Sequence, residues 1–125
     1  IELANGCYKT KKSSVVFPIT EVVSKNEFFD YNAKYKGEVT EITPARLSDE
    51  LTARVQKLTS VVYDILGCKG IVRVDYIITE GDKINMLEIN TTPGMTATSF
   101  IPQQVRAAGI DIKDVMTDII EDHFN

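Results

Sequence analysis

The chain offers little sulfur or imidazole: two cysteines and one histidine among 125 residues. Cys7 and Cys68 lack the spacing of zinc ligands, which argues against a thiolate metal centre. Both are expected to be reduced, buried or half-buried thiols of a cytoplasmic protein, with a single disulfide between them as the alternative. His123 stands at the end of the last predicted helix, as a surface residue with no role assigned. Positive charge is also short. Fourteen basic residues face eighteen acidic ones, for a net charge of −4. There is no basic block, which argues against nucleic acid or an anionic membrane as a partner. No apolar run approaches the length of a bilayer span, and no signal peptide is visible. Repeats, low-complexity stretches and internal linkers are absent as well. What remains is one domain or part of one, long enough for a real core and ordinary in its hydrophobic fraction of 43%. Ile1-Glu2-Leu3-Ala4 lacks an initiator methionine and reads as the interior of a strand. The expectation is a fragment whose N-terminal portion is missing.

Hydrophobic periodicity divides the chain into strands and then helices. Strands are expected over Leu3 to Tyr8, Ser14 to Phe17 and Thr20 to Ser24, with Pro18 marking an edge or a break. Asn26 to Gly37 holds no period and reads as a long loop, of the kind that is often functional. Glu38 to Thr43 suits another short strand. Ser48 is a good N-cap, Asp49 and Glu50 fill a favourable first turn, and Gly67 ends the helix they begin. Leu51, Val55, Leu58, Val62 and Ile65 form its apolar stripe. A hairpin over residues 70–90 follows, then a loop over 91–99 around Pro93-Gly94. A short helix runs from about Ile101 to Ala108 and ends at Gly109. Asp111 caps a last helix whose buried face is Ile112, Val115, Met116, Ile119 and Ile120. The three methionines, Met86, Met95 and Met116, are expected to fill gaps in the core. This grouping predicts an α+β fold, a mainly antiparallel sheet with helices packed on one face.

The hairpin carries the chemistry. In Gly70-Ile-Val-Arg-Val-Asp-Tyr-Ile-Ile-Thr79, Val72, Val74, Tyr76 and Ile78 share one face, and Arg73 and Asp75 share the other. A two-residue turn at Gly81-Asp82 sets Asp75 opposite Glu88, Val74 opposite Ile89 and Arg73 opposite Asn90. Directly opposed side chains have Cβ atoms roughly 4.5–5.5 Å apart, where like charges destabilise a sheet. A divalent cation held by oxygen ligands offsets that repulsion, and three such ligands on adjacent strands suit Mg²⁺. Two acids solvated on an open sheet face are the plainer alternative. Arg73 either neutralises Asp75, two residues away, or stabilises charge on a phosphoryl or acyl group. Asn90-Thr91-Thr92-Pro93-Gly94-Met95-Thr96 is either an ordinary turn or a loop that offers N–H groups and hydroxyls to an anion. Ser99 either caps the next helix or stands at its positive end as an anion ligand. Lys34 lies on the long loop among the phenols of Tyr31 and Tyr35.

Three stretches together resemble the D-alanine–D-alanine ligases of the ATP-grasp superfamily, in their C-terminal part. They are Phe28-Phe-Asp-Tyr-Asn-Ala-Lys-Tyr35, Leu66-Gly-Cys-Lys-Gly-Ile-Val-Arg-Val-Asp75 and Leu87-Glu-Ile-Asn-Thr-Thr-Pro-Gly-Met-Thr96. The segment Gln103 to Gly109 is similar to that family's helix after the active-site loop. The resemblance implies an ATP-dependent ligase that joins two D-alanines through an acyl phosphate, for peptidoglycan synthesis in the cytoplasm. It implies that Asp75, Glu88 and Asn90 hold two Mg²⁺ ions, with Glu88 bridging and Mn²⁺ as a substitute. Arg73 and the backbone N–H of Gly94 would stabilise the oxyanion, and Ser99, with the backbone near Phe100, would bind the carboxylate of the second D-alanine. Lys34 would approach the transferred phosphoryl group, and Tyr35 would help close the loop over the site. Glu2 would meet the ATP ribose, with Ile77 and Leu87 near the adenine. The resemblance further implies a homodimer as the full-length enzyme, and N-terminal and central domains that this chain lacks. Two rival readings are a D-alanyl-D-lactate ligase and a non-catalytic ATP-grasp-like binding domain. Lys34-Tyr35 argues for the amide product, because ester-forming relatives usually carry a different, histidine-containing sequence there.

Overall fold

A computed structural model describes residues 1–24, 39–91, 93, 95 and 99–124. The long loop expected over 26–37, with Lys34 and Tyr35, lies outside the described residues, and so does Gly94. The elements are β1 (Glu2–Lys9), β2 (Ser14–Val16), β3 (Thr20–Ser24), β4 (Val39–Ile42), α1 (Asp49–Ile65), β5 (Ile71–Thr79), β6 (Lys83–Asn90), α2 (Phe100–Ala107) and α3 (Ile112–Phe124). The strands lie in the order β4-β3-β1-β5-β6, and every pairing is antiparallel. The α+β class with an antiparallel sheet is therefore as expected. Among the described residues no helix is long and apolar enough to cross a membrane.

β2 and β3 share one edge of β1. β2 pairs with its C-terminal half (Cys7 with Val16) and β3 with its N-terminal half (Ala4 with Thr20). Pro18 falls in the break between them, since a residue without an N–H cannot continue a ladder. At the break the Phe17 N–H donates to the Gly6 carbonyl (2.9 Å). The Phe17 carbonyl accepts from the side-chain amides of Asn5 (2.7 Å) and Gln56 (2.9 Å).

The helices divide between the two sheet faces, which corrects the expectation that they share one. α1 covers the face of Leu3, Cys7, Val72, Val74, Tyr76 and Ile78. On the opposite face Tyr8 and Ile71 join Phe17 in a second core with Ile101 and Val105 of α2 and Val115 of α3. Arg73 and Asp75 belong to this second face by strand alternation. The far end of that face is roofed by these two helices.

α1 begins as read, with the Ser48 hydroxyl accepting from the Leu51 N–H (3.1 Å), and Gly67 follows it at φ +62°. Its buried line is Leu51, Val55, Thr59 and Tyr63. Ile65, expected in the stripe, is 76% exposed, as Ile120 of α3 is at 57%. The stripe steps by four and admits two hydroxyls because both find partners. Thr59 Oγ1 donates to the Val55 carbonyl (3.0 Å) and lies 2.7 Å from the Tyr76 hydroxyl, while Tyr63 donates to the Gly70 carbonyl (2.8 Å). Met86 and Met95 are exposed rather than core. Of the edge strand β6, only Ile84 and Ile89 pack against the first core. Both cysteines are free thiols. Cys7 is buried, its thiol pushed up to about 11 by desolvation, and Cys68 is half-buried.

An ion pair between the buried Glu21 and the exposed Arg46 ties β3 to the segment before α1. The Glu21 carboxylate accepts from the Arg46 backbone N–H (3.0 Å) and from its guanidinium at Nε (3.3 Å) and Nη2 (3.0 Å). The Arg46 side chain holds the Glu21 carboxyl below its usual value, against the upward push of burial. A folded-state pKa below the unfolded one stabilises the fold above the unfolded value and loses that contribution as pH falls through the folded value. Glu21→Gln is therefore expected to melt below the native protein at neutral pH. The gap should close as pH drops below the ordinary glutamate value of about 4.3. Thermal melts across that range check the prediction.

Candidate active site

The β5–β6 hairpin brings the expected side chains together, although its turn differs from the expectation. Thr79 pairs with Lys83, so three residues, Glu80, Gly81 and Asp82, make the turn in place of two. Gly81 (φ +75°) and Asp82 (φ +55°) both take left-handed backbone there. The extra residue shifts the register as far as Tyr76–Met86, and a bulge at Leu87 shifts it back. Beyond the bulge Asp75 faces Glu88, Val74 faces Ile89 and Arg73 faces Asn90. The expected opposition holds because the two irregularities cancel. Bulges often re-aim a side chain beside a functional site.

Asp75 and Arg73 are locked to each other. The guanidinium donates from Nε to Oδ1 (2.9 Å) and from Nη2 to Oδ2 (3.0 Å), with both side chains under one-fifth exposed. This is the two-bond fork that makes arginine a strong carboxylate partner. The Phe100 ring of α2 lies 5.1 Å from the Arg73 guanidinium carbon, within cation–π range. Glu88 is exposed, and Asn90 is half-buried. Ser99 occupies the N-cap position of α2, but its side chain makes no capping hydrogen bond. A cavity of about 220 Å³ opens on this face, lined by Glu2, Ala4, Val22, Asp75, Leu87 and Phe100 among others. Glu2 and Leu87, far apart in sequence, meet there. Ile77 pairs with Glu2 on the same face of the sheet without lining the cavity. A larger space of about 660 Å³ lies between Lys9, Asp64, Cys68 and Asp122 and contains none of the expected site residues.

Among the described residues no three His, Cys, Asp or Glu side chains cluster as a metal centre. The hairpin supplies two carboxylates and one amide. An all-oxygen set of this size suits Mg²⁺, which keeps several waters and shares its shell with phosphate. Arg73 offsets one of the two negative charges, and Glu88 faces solvent from the opposite strand.

The Phe100 ring and Gln104 are the contributors that reading the chain missed, although the backbone near Phe100 was expected beside Ser99. The side chain of Phe100 gave no signal of its contact with Arg73. Gln104 showed one, an amide between Ile101 and Val105 on the apolar side of a short helix.

Residues 2–121 match the family profile described as "D-ala D-ala ligase C-terminus". The chain belongs to this family. It is 80% identical over 123 residues to a D-alanine–D-alanine ligase of Bacteroides fragilis, a match covering 98% of the chain and 38% of that protein. A crystal structure of D-alanine–D-alanine ligase from Bacillus anthracis complexed with ATP superposes with a TM-score of 0.72 at 28% identity. It covers 97% of this chain and 36% of that one. The D-Ala:D-Ser ligase VanG from Enterococcus faecalis superposes at 0.77 with 29% identity, over 96% of this chain and 35% of that one. The chain thus spans under two-fifths of the length of the ligases it matches.

Proposed function

We propose that this chain is the C-terminal part of an ATP-grasp ligase that joins two D-alanines into D-alanyl-D-alanine for cytoplasmic peptidoglycan synthesis. The N-terminal and central domains would complete the site, and the full-length enzyme would be a homodimer. One observation carries the reading: Asp75 faces Glu88 and Arg73 faces Asn90 on one sheet face. That pattern sits within a chain 80% identical to a ligase of this name.

In the first step the carboxylate of one D-alanine attacks the γ-phosphorus of ATP, giving an acyl phosphate and releasing ADP. The amine of the second then attacks the acyl carbon, loses a proton, and phosphate departs. Asp75, Glu88 and Asn90 would hold two Mg²⁺ ions, which when bound would supply positive charge to neutralise the phosphates. Arg73 would stabilise the oxyanion together with the Gly94 backbone N–H. Its hold on Asp75 keeps the guanidinium beside the carboxylate that would take part in metal binding. Ser99, at the positive end of the α2 dipole, would take the carboxylate of the second D-alanine. Glu2 and Leu87 share a cavity with Asp75, which supports contact with ribose and adenine there, and Ile77 adjoins them. Lys34 would meet the transferred phosphoryl group, and Tyr35 would close its loop over the site.

The test is the full-length protein with ATP, Mg²⁺ and D-alanine. One ADP should appear per dipeptide, with D-lactate and D-serine poor second substrates. A product made only when D-lactate or D-serine is supplied would overturn the assignment. The 125-residue chain alone, holding part of the nucleotide cleft, should make no measurable dipeptide.

A further inference from the structure

Gln104 is a wholly buried amide with all of its partners on the sheet. Its Oε1 accepts from the Gly6 N–H (2.8 Å), and its Nε2 donates to the Ala4 carbonyl (2.9 Å) and to Thr20 Oγ1 (3.0 Å). These groups border the break between β2 and β3, where Asn5 and Gly6 have no strand partner on that edge of β1. A side chain from α2 therefore completes the ladder that Pro18 interrupts. Gly6 permits this approach, since a Cβ there would stand 2.3 Å from Ile101 Cδ1 and 3.0 Å from Gln104 Oε1.

The register turns this anchor toward the site. Gly6 is the cross-strand partner of Arg73. One helical turn before Gln104, on the same side of α2, Phe100 lies over the Arg73 guanidinium. Two side chains of one helix thus clasp both members of a single strand pair: Gln104 holds the Gly6 backbone, and Phe100 seats Arg73.

We propose that Gln104 is a positioning residue. By docking α2 into the break in the sheet, it fixes the Phe100 ring against Arg73 and so sets the direction in which the guanidinium is presented. The consequence for catalysis rests on the ligase reading above, whereas the effect on Arg73 does not.

The experiment uses the full-length protein with Nε-labelled arginine, the Arg73 Nε–H signal being assigned by its absence in Arg73→Lys. Gln104→Met keeps the length of the side chain and removes the three contacts. The Arg73 signal should lose its ring-current shift, and its hydrogen should exchange at least about 10-fold faster. The kcat should fall about 10- to 100-fold, the range seen when an outer-shell support is removed, with KM for ATP unchanged. Phe100→Leu should lower kcat similarly, and the double variant should fall no further, as expected of residues acting as a unit. If Gln104→Met does not fold, Gln104→Glu carries the same test, since it keeps the contact to Gly6 and loses both donors. A lowered melting temperature with the Arg73 signal and kcat unmoved would overturn the proposal, as would losses in kcat that multiply. A native protein that makes no dipeptide would sink the ligase reading instead, and the Arg73 signal would still decide the positioning role.

Discussion

Glu88→Ala in the full-length protein is expected to lower dipeptide synthesis by at least 10²–10³-fold, roughly the effect of deleting one electrostatic contact to a transition state. Its folding should be untouched. Glu88 is exposed on the edge strand and faces Asp75, so alanine removes a like-charge opposition and no core contact. Stability should stay within about 0.5 kcal/mol of native, as for most surface substitutions, or rise slightly. Initial-rate assays beside a denaturant titration check both halves. A structural carboxylate would show the reverse pattern, with activity kept and stability reduced. Full activity in Glu88→Ala would leave the non-catalytic reading of this domain as the better one.

The largest expected loss of stability is at Gly6. A Cβ there would lie 2.3 Å from Ile101 Cδ1, 2.9 Å from Phe17 Cδ2 and 3.0 Å from Gln104 Oε1. Each of these is the end of a flexible side chain, but all three residues are fully buried in packed surroundings with no space to retreat into. Overpacking of this kind typically costs about 1–3 kcal/mol, and more when a polar contact is lost with it. Gly6→Val adds two methyl groups beyond the Cβ and pushes directly on the Gln104 anchor. It should exceed that range and loosen α2 from the sheet. Gly6→Ala should fall within it. Denaturant midpoints of the two variants against native measure the difference. A neutral Gly6→Val would mean that α2 can move away from β1 freely, which the Gln104 contacts oppose.

Much of this architecture is visible in local patterns. The period of two in β5 assigned Arg73 and Asp75 to one face, and the turn expected at Gly81-Asp82 set the register that opposes Glu88 to Asp75. Ser48, Gly67 and Gly109 marked helix ends through backbone chemistry that operates over four residues. The turn at Glu80–Asp82 was one residue longer than expected, and the bulge at Leu87 had no mark of its own. The assumed two-residue turn still led to the right opposition of Asp75 and Glu88, because the two shifts cancel beyond the bulge. The stripe of α1 was misjudged at Ile65 because Thr59 and Tyr63 lie in the core, where their hydroxyls meet Tyr76 and Gly70.

By itself the sequence determined the class of fold, the span of nearly every described element and the shared face of the hairpin's acids. Each follows from the spacing of residues that avoid or seek water along a single segment. Tertiary structure alone decided that α2 and α3 roof the opposite face from α1, that Glu2 meets Leu87 in one cavity, and that Phe100 and Gln104 reach Arg73 and Gly6. The physical reason is that a pattern shows which side chains leave water without showing what surface receives them. Gln104 finds its hydrogen-bond partners 84 to 100 residues away. Only the assembled sheet, with its break at Pro18, makes burial of that amide affordable.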